Sequence, residues 1–247
     1  MPSGLDDYPR AKLNGKQLVE GHLDLQSWII VLSRTMIKIY NFLNSPVEFK
    51  ERIFFWSNFN NKVEEILINQ FWDETNNKFD DFFIDEKGTK QFSGHTGYLQ
   101  LFPLILNVFN NTKLKQGNLT DSKYINESLN ILLIPNQGLR TNYGIRSLSL
   151  NDLSYKKGQN YWTSPIWINI NYLIIRFLYN LKNQPAYSYL EKEYREIRES
   201  VVDNMVRNFE ENGYIWEVYN DLNGNGMYNH PFTGWSALVV NLIYELF

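Results

Sequence analysis

L-V-E-G-H-L-D-L-Q-S-W-I-I-V-L-S-R-T-M-I-K-I-Y-N-F, Leu18 to Phe42, decides the fold class. Leu25, Trp28, Ile29, Leu32, Met36, Ile39 and Tyr40 recur at the spacing of a helix with one apolar stripe. Arg34 and Lys38 interrupt the run, so it cannot span a membrane. Glu20 and Asp24 lie one turn apart and would share a face of the first turn, where the helix dipole favours carboxylates. Ser45, Pro46 and Glu48 then read as a capping box with proline at the first helical position, which predicts a second helix from about Pro46 to Phe71. Two long helices joined by a short turn make an antiparallel hairpin, the repeat unit of several all-α architectures.

Further helices follow, separated by long loops. Trp72 to Gly94 is polar with alternating aromatics at Phe79, Phe82 and Phe83, a loop with room for a short hairpin. Leu99 to Phe109 reads as a helix containing Pro103, and Asp121 to Leu133 as one capped by Asp121 and ending before Pro135. Pro165 would open a helix running to about Leu181. Ala186 to Asn212 would form another, ending at Gly213 in the left-handed conformation glycine tolerates best. A last helix would run from His230 to Leu246 with Thr233 as its N-cap. No strand-helix alternation points to a parallel sheet, and no G-x-G-x-x-G or G-x-S-x-G occurs.

The 247 residues are 43% hydrophobic, enough for a real core, and 16% aromatic, more than a core alone needs. Surplus Trp and Tyr in clefts stack on sugar rings as well as on one another. A net charge of −3 with interspersed signs gives no field for nucleic acid and no membrane-surface patch. With no cysteine, disulfides and thiolate metal sites are excluded, and His22, His95 and His230 are too far apart for a local metal motif. No metal or organic cofactor is expected. Met1 is not followed by a signal-peptide pattern. Asn110, Asn118 and Asn126 each head an N-x-[ST] sequon.

The loops carry the chemistry. Asp6 and Asp7 are adjacent carboxylates between Gly4 and Pro9, closed by Arg10; such a pair is a solvated tail or a site, because burying it unpaired costs several kcal/mol. F-S-G-H-T-G-Y, Phe92 to Tyr98, places His95 between two glycines. Arg146, in N-Y-G-I-R-S-L-S, could orient a carboxylate or simply lie on the surface. Tyr161, Trp162 and Trp167 cluster before a helix, and Glu217 alternates with Tyr214, Trp216 and Tyr219.

In order, S-G-L-D-D-Y-P-R (Ser3 to Arg10), E-G-H-L-D-L (Glu20 to Leu25), G-Y-x-x-L-F-P (Gly97 to Pro103), Y-G-I-R-S-L-S (Tyr143 to Ser149), P-I-W-I-N-I-N-Y-L (Pro165 to Leu173), G-Y-I-W-E-x-Y (Gly213 to Tyr219) and H-P-F-T-G-W (His230 to Trp235) resemble the processing α-glucosidases of glycoside hydrolase family 63. The resemblance covers essentially the whole chain. It implies the C-terminal portion of a single catalytic domain spanning residues 1–247, an (α/α)6 toroid of helical hairpins. The toroid would be incomplete, since six hairpins need about twelve helices and about seven are legible.

It also implies an inverting exo-α-glucosidase that removes the terminal α-1,2-linked glucose from the glucosylated N-glycan precursor in the endoplasmic reticulum lumen. The partners implied are a glucosylated high-mannose oligosaccharide and the N-terminal half of the same domain, with no nucleic acid and no membrane contact from this segment. Asp6 would be the general acid and Glu217 the general base. Asp7, Tyr8, Arg10, Glu20, Asp24, His95, Gly97, Tyr98, Arg146, Tyr161, Trp162, Trp167, Trp216, Phe232 and Trp235 would bind substrate or support the site. An inverting enzyme needs one protonated and one ionised carboxyl roughly 6.5–9.5 Å apart. Asp7 and desolvation by Tyr8 or Trp216 would favour the acid form of Asp6, and Arg10 would oppose it. One departure from the family pattern is Thr163-Ser164, where Y-W-R-G is usual, so a guanidinium is lacking near the pocket. A trehalase-like hydrolase of the same toroid class, or a non-catalytic glycan-binding fragment, remains an alternative.

Overall fold

The computed structural model describes residues 4–10, 19–43, 49–109 and 119–245. Contacts divide the chain into two compact units. Met1–Gly4, Arg10–Gly94 and Phe102–Ser128 form the first; Leu5–Pro9, His95–Leu101 and Leu129–Phe247 form the second.

In the first unit, α1 (Leu23–Phe42) and α2 (Lys50–Phe71) form the antiparallel hairpin. Gln26 donates to the Val63 carbonyl at 2.7 Å, Ser33 to Asn60 at 2.8 Å and Arg34 to Glu64 at 2.7 Å, contacts that tie the two helices side by side. The expected capping box at Ser45, Pro46 and Glu48 lies outside the described residues.

Two expectations about α1 are corrected. The stripe at Leu25, Trp28, Leu32 and Ile39 is exposed, and the buried face carries Leu23, Asp24, Ser27, Ile30 and Ser33. The two serines pass for polar in a periodicity count, yet Ser27 satisfies its hydroxyl on the Leu23 carbonyl one turn back, and the Ser33 hydroxyl lies 2.8 Å from both the Ile30 carbonyl and the Asn60 side chain of α2. Glu20 does not share the helix with Asp24. It sits on strand β1 (Val19–Gly21), antiparallel to β4 (Phe82–Ile84), which pairs in turn with β5 (Lys90–Phe92). Gly21 allows this pairing, because a Cβ there would lie 2.1 Å from the Phe82 ring.

The Trp72 to Gly94 loop thus holds more strand than one hairpin, since β2 (Trp72–Asp73) also pairs with β3 (Lys78–Phe79). Trp72, Phe79, Phe109 and Tyr124 pack ring against ring at 4.7–5.6 Å between centroids and fill this unit's core. Arg10 is buried between Asp24, at 2.8 Å, and Asp81. Burial pushes the Asp81 carboxyl up to about 6 against the opposing pull of Arg10 and the Leu23 N–H.

Pro103 belongs to α3 (Phe102–Ile105), much shorter than expected; Asn107, in left-handed backbone, follows it closely. Helix α4 (Leu119–Leu133) takes in Asp121 rather than starting at it. Asn126 is exposed on α4, whereas Asn110 and Asn118 lie outside the described residues.

The second unit is built on α5 (Ile168–Lys182) against α6 (Glu191–Asn212). Ile174, Ile175 and Leu178 from one helix and Ile197 and Val201 from the other are fully buried, each contributing about 1.5–3 kcal/mol. Gly213 caps α6 in the left-handed conformation, its N–H reaching the Phe209 carbonyl at 2.7 Å. Three expected starts move. The backbone after Pro165 stays extended until Ile168, Pro185–Leu190 is a 3-10 turn ahead of α6, and Thr233 caps nothing, because the last helical segment begins at Trp235 and continues as α7 (Val239–Tyr244). Strand β6 (Arg140–Thr141) pairs with β7 (Gly144–Ile145), and β8 (Val218–Tyr219) with β9 (Gly226–Met227).

Candidate active site

The second unit gathers three loops whose side chains address one another. The first is Leu5–Pro9. Leu5 and Tyr8 are buried and the Tyr8 N–H closes a turn on the Leu5 carbonyl, so Asp6 and Asp7 occupy the corners between two apolar anchors. Asp6 is exposed, and among the described residues no hydrogen bond reaches its carboxyl. Asp7 points elsewhere: its two oxygens accept the main-chain N–H groups of Tyr161, at 2.9 Å, and Trp162, at 2.6 Å. Gly97 lies against Tyr8, and a Cβ there would fall 2.3 Å from the Tyr8 hydroxyl and 2.4 Å from the Ser147 carbonyl.

The second loop leads into α5. Trp162 and Trp167 stack at 3.6 Å with planes 5° apart, and both are buried. Trp167 donates its indole N–H to the Tyr161 carbonyl at 2.9 Å. Thr163 and Ser164, where the family pattern has a guanidinium, are buried with their hydroxyls spent on the Lys157 carbonyl and the Asn160 side chain.

The third loop carries Glu217, 4% exposed. Its Oε1 accepts the Tyr161 hydroxyl, and its Oε2 accepts both the side-chain and main-chain N–H of Asn229. The Glu217 carbonyl takes the Trp235 indole N–H at 2.8 Å, and the Ser236 hydroxyl donates to the neighbouring Trp216 carbonyl at 2.6 Å. Trp216 lies flat over Gly226, with His230 3.9 Å from its ring centre. Phe232 and Trp235 meet at 4.7 Å, and Tyr228 meets Tyr161 edge-on at 5.2 Å. Tyr161, Tyr228, Phe232 and Trp235 all keep some solvent exposure.

Tyr161 is therefore the meeting point. Burial pushes its phenol up, and the bond to Glu217, the Glu217 charge and the Asp6 charge push it the same way, so it stays a protonated donor. An exposed carboxyl and a fixed one thus both act on a single hydroxyl.

Other expected residues have different surroundings. Tyr98 is fully buried: its hydroxyl donates to the Ile145 carbonyl and accepts from the Trp167 N–H and Asn171, a hub under the site. Arg146 is buried in an ion pair with Asp221 at 3.2 Å, and Asp221 also accepts the Tyr155 hydroxyl. His95 meets Asp152 at 3.0 Å. Arg10 and Asp24 form the ion pair of the first unit, and Glu20 meets His22 there at 2.9 Å. Asn229, Ser236 and Asp221 were not singled out from sequence; an Asn in a Gly-Asn turn gives no signal of the carboxylate it will hold. Among the described residues no group of three His, Asp or Glu could hold a metal ion, and no helix is long and apolar enough to cross a membrane.

The model of the glycosyl hydrolase family 63 C-terminal domain matches residues 1–245. The chain belongs to this family. A curated relative, the probable mannosyl-oligosaccharide glucosidase of Schizosaccharomyces pombe, is 35% identical over 99% of the chain and 29% of its own length. The mannosyl-oligosaccharide glucosidase of Saccharomyces cerevisiae is 31% identical over 98% of the chain and 28% of its own length. The chain thus spans under a third of these relatives. Among solved structures, the family 63 mannosylglycerate hydrolase of Thermus thermophilus superposes with a TM-score of 0.59 at 17% identity, over 92% of this chain and 46% of that one. A likeness at that identity bears on the fold, which is the all-α helical toroid class of family 63.

Proposed function

We propose that this chain is the C-terminal portion of the catalytic domain of an inverting exo-α-glucosidase that removes a terminal α-1,2-linked glucose from a glucosylated high-mannose oligosaccharide. Asp6 protonates the leaving glycosidic oxygen and Glu217 draws the proton from the attacking water. The observation that carries this is the shared address of the two carboxyls: Tyr161 bonds Glu217 and feels the charge of Asp6. The division of labour fits the chemistry. A proton donor must present a free oxygen to the substrate, and Asp6 has no competing partner among the described residues. A base must hold its carboxylate in one orientation, and three donors fix Glu217. Tyr228, Phe232 and Trp235 offer ring faces for the glucose.

The named glucosidase relatives favour this substrate over a trehalase-like one. The same relationship supports a place in the lumen of the endoplasmic reticulum and a requirement for the rest of the catalytic domain. The test is proton NMR of the full-length gene product turning over a disaccharide with α-1,2-linked glucose. β-Glucose is expected as the first product; α-glucose as the first product overturns the inverting assignment. Full turnover in Asp6→Asn or Glu217→Gln overturns the residue roles.

A further inference from the structure

Asp7 stands next to the proposed acid but is turned away from it, and that divergence has a use. Its carboxylate accepts the N–H groups of Tyr161 and Trp162, and the Trp167 indole N–H donates to the Tyr161 carbonyl, so the Tyr161 main chain is held on both polar sides. The Tyr161 ring is then braced edge-on by Trp167 at 4.6 Å and 82° and by Tyr228 at 5.2 Å and 80°. With the main chain and ring both fixed, the hydroxyl has one direction available, and it ends on Glu217.

We propose that Asp7 and Tyr161 are positioning residues that tie the Asp6 turn to Glu217, so that seating the proton donor also orients the base. This rests on the reading of Asp6 and Glu217 given above. Asp7 acts through Tyr161 and not on substrate; Tyr161 acts through the Glu217 carboxylate. A bidentate grip on two successive N–H groups needs two acceptor oxygens, which is why the residue is an aspartate. Asparagine would turn an NH2 against one of the two donors.

The test uses the full-length gene product with Asp7→Asn, Asp7→Ala, Tyr161→Phe, the Asp7→Ala/Tyr161→Phe double variant, and Asp6→Asn and Glu217→Gln as references, each checked for folding by circular dichroism and thermal melting. Tyr161→Phe removes one oxygen and keeps the ring, so it remains informative if the Asp7 variants fold poorly. The expected result is a fall in kcat of about 10²-fold for Tyr161→Phe with KM nearly unchanged, the scale of a displaced catalytic group. The double variant should fall no further than Tyr161→Phe alone, because both changes cut the same connection. The groups facing the Tyr161 hydroxyl are Glu217, Asp6 and Tyr228. Of these, Glu217 loses the hydroxyl that holds its Oε1 in Tyr161→Phe, while the ring and its edge-on contacts with Trp167 and Tyr228 remain.

Multiplicative losses in the double variant, or a loss in Tyr161→Phe that falls on KM and leaves kcat unchanged, overturn the positioning role and reduce Asp7 to a loop staple. If Glu217→Gln keeps its turnover, both the role of Glu217 and the positioning role fail. If Glu217→Gln is dead and Tyr161→Phe is fully active, only the positioning role fails.

Discussion

The Asp6 carboxyl stands exposed on a turn whose flanking residues, Leu5 and Tyr8, are buried, whereas Glu217 is buried and receives three donors on its two oxygens. Both belong to the second unit and both face Tyr161, yet one is anchored by its neighbours and the other by its own side chain. The difference separates two ways of placing a carboxyl. Fixing the backbone on each side leaves the side chain available to a substrate. Fixing the side chain sets a direction and leaves about one of the four acceptor sites of a carboxylate for water.

The largest effect that tests this contrast is on turnover. Asp6→Asn and Glu217→Gln should each lower kcat/KM by about 10²–10⁴-fold, the usual share of a general acid or base, measured as glucose release. The contrast itself is read from stability. Glu217→Gln sets an amide NH2 against the Tyr161 hydroxyl or the Asn229 amide and should cost about 1–3 kcal/mol in thermal or denaturant unfolding. Asp6→Asn should stay within about 0.5 kcal/mol of the parent. Equal losses would mean that the Asp6 side chain is anchored after all.

A buried carboxyl in the first unit gives a reference of another kind. Asp81 is held at about 6 in the folded state, above its ordinary 3.8, mainly by burial. A folded pKa above the unfolded one stabilises the protein below pH 3.8, and that stability is lost as pH rises through about 6. The stability difference between the parent and Asp81→Asn should therefore move against the parent across this window, by no more than about 3 kcal/mol, and level off above it. A flat difference would show that Arg10 outweighs the burial.

Next in size, Gly97→Ala should cost about 1–3 kcal/mol, because the new Cβ meets the Tyr8 hydroxyl and a main-chain oxygen that cannot both give way. It should also lower turnover by displacing the Asp6 turn, which would tie the exposed carboxyl to its buried neighbours. The smallest effect is at Ser164→Ala, about 1 kcal/mol for one hydroxyl bond to the Asn160 side chain, with KM unchanged.

How much of this could be read from the chain alone depends on the range of the interaction. The α1 and α2 hairpin and the Gly213 cap were legible because period and capping are local. The buried face of α1 was not, because Ser27 satisfies its hydroxyl on its own helix and Ser33 shares its between that helix and Asn60 of α2, so both sit buried where a periodicity count expects apolar residues. The strand at Val19–Gly21 depends on Phe82–Ile84, far along the chain, and helical periodicity runs straight through it. In the site, Asp6 and Glu217 stood out by motif. The grip of Asp7 on Tyr161 and Trp162 spans more than 150 residues and uses main-chain donors, which every residue but proline possesses, so no residue type marks it.

Tyr161 is held through its backbone by one loop and holds another through its hydroxyl. For anyone redesigning this enzyme class, residues 5–9, 158–167 and 216–236 are one graft and not three. Replacing 158–167 would sever the connections to both of the others, and replacing either of those would sever its connection to 158–167, so libraries should exchange the three segments as a set.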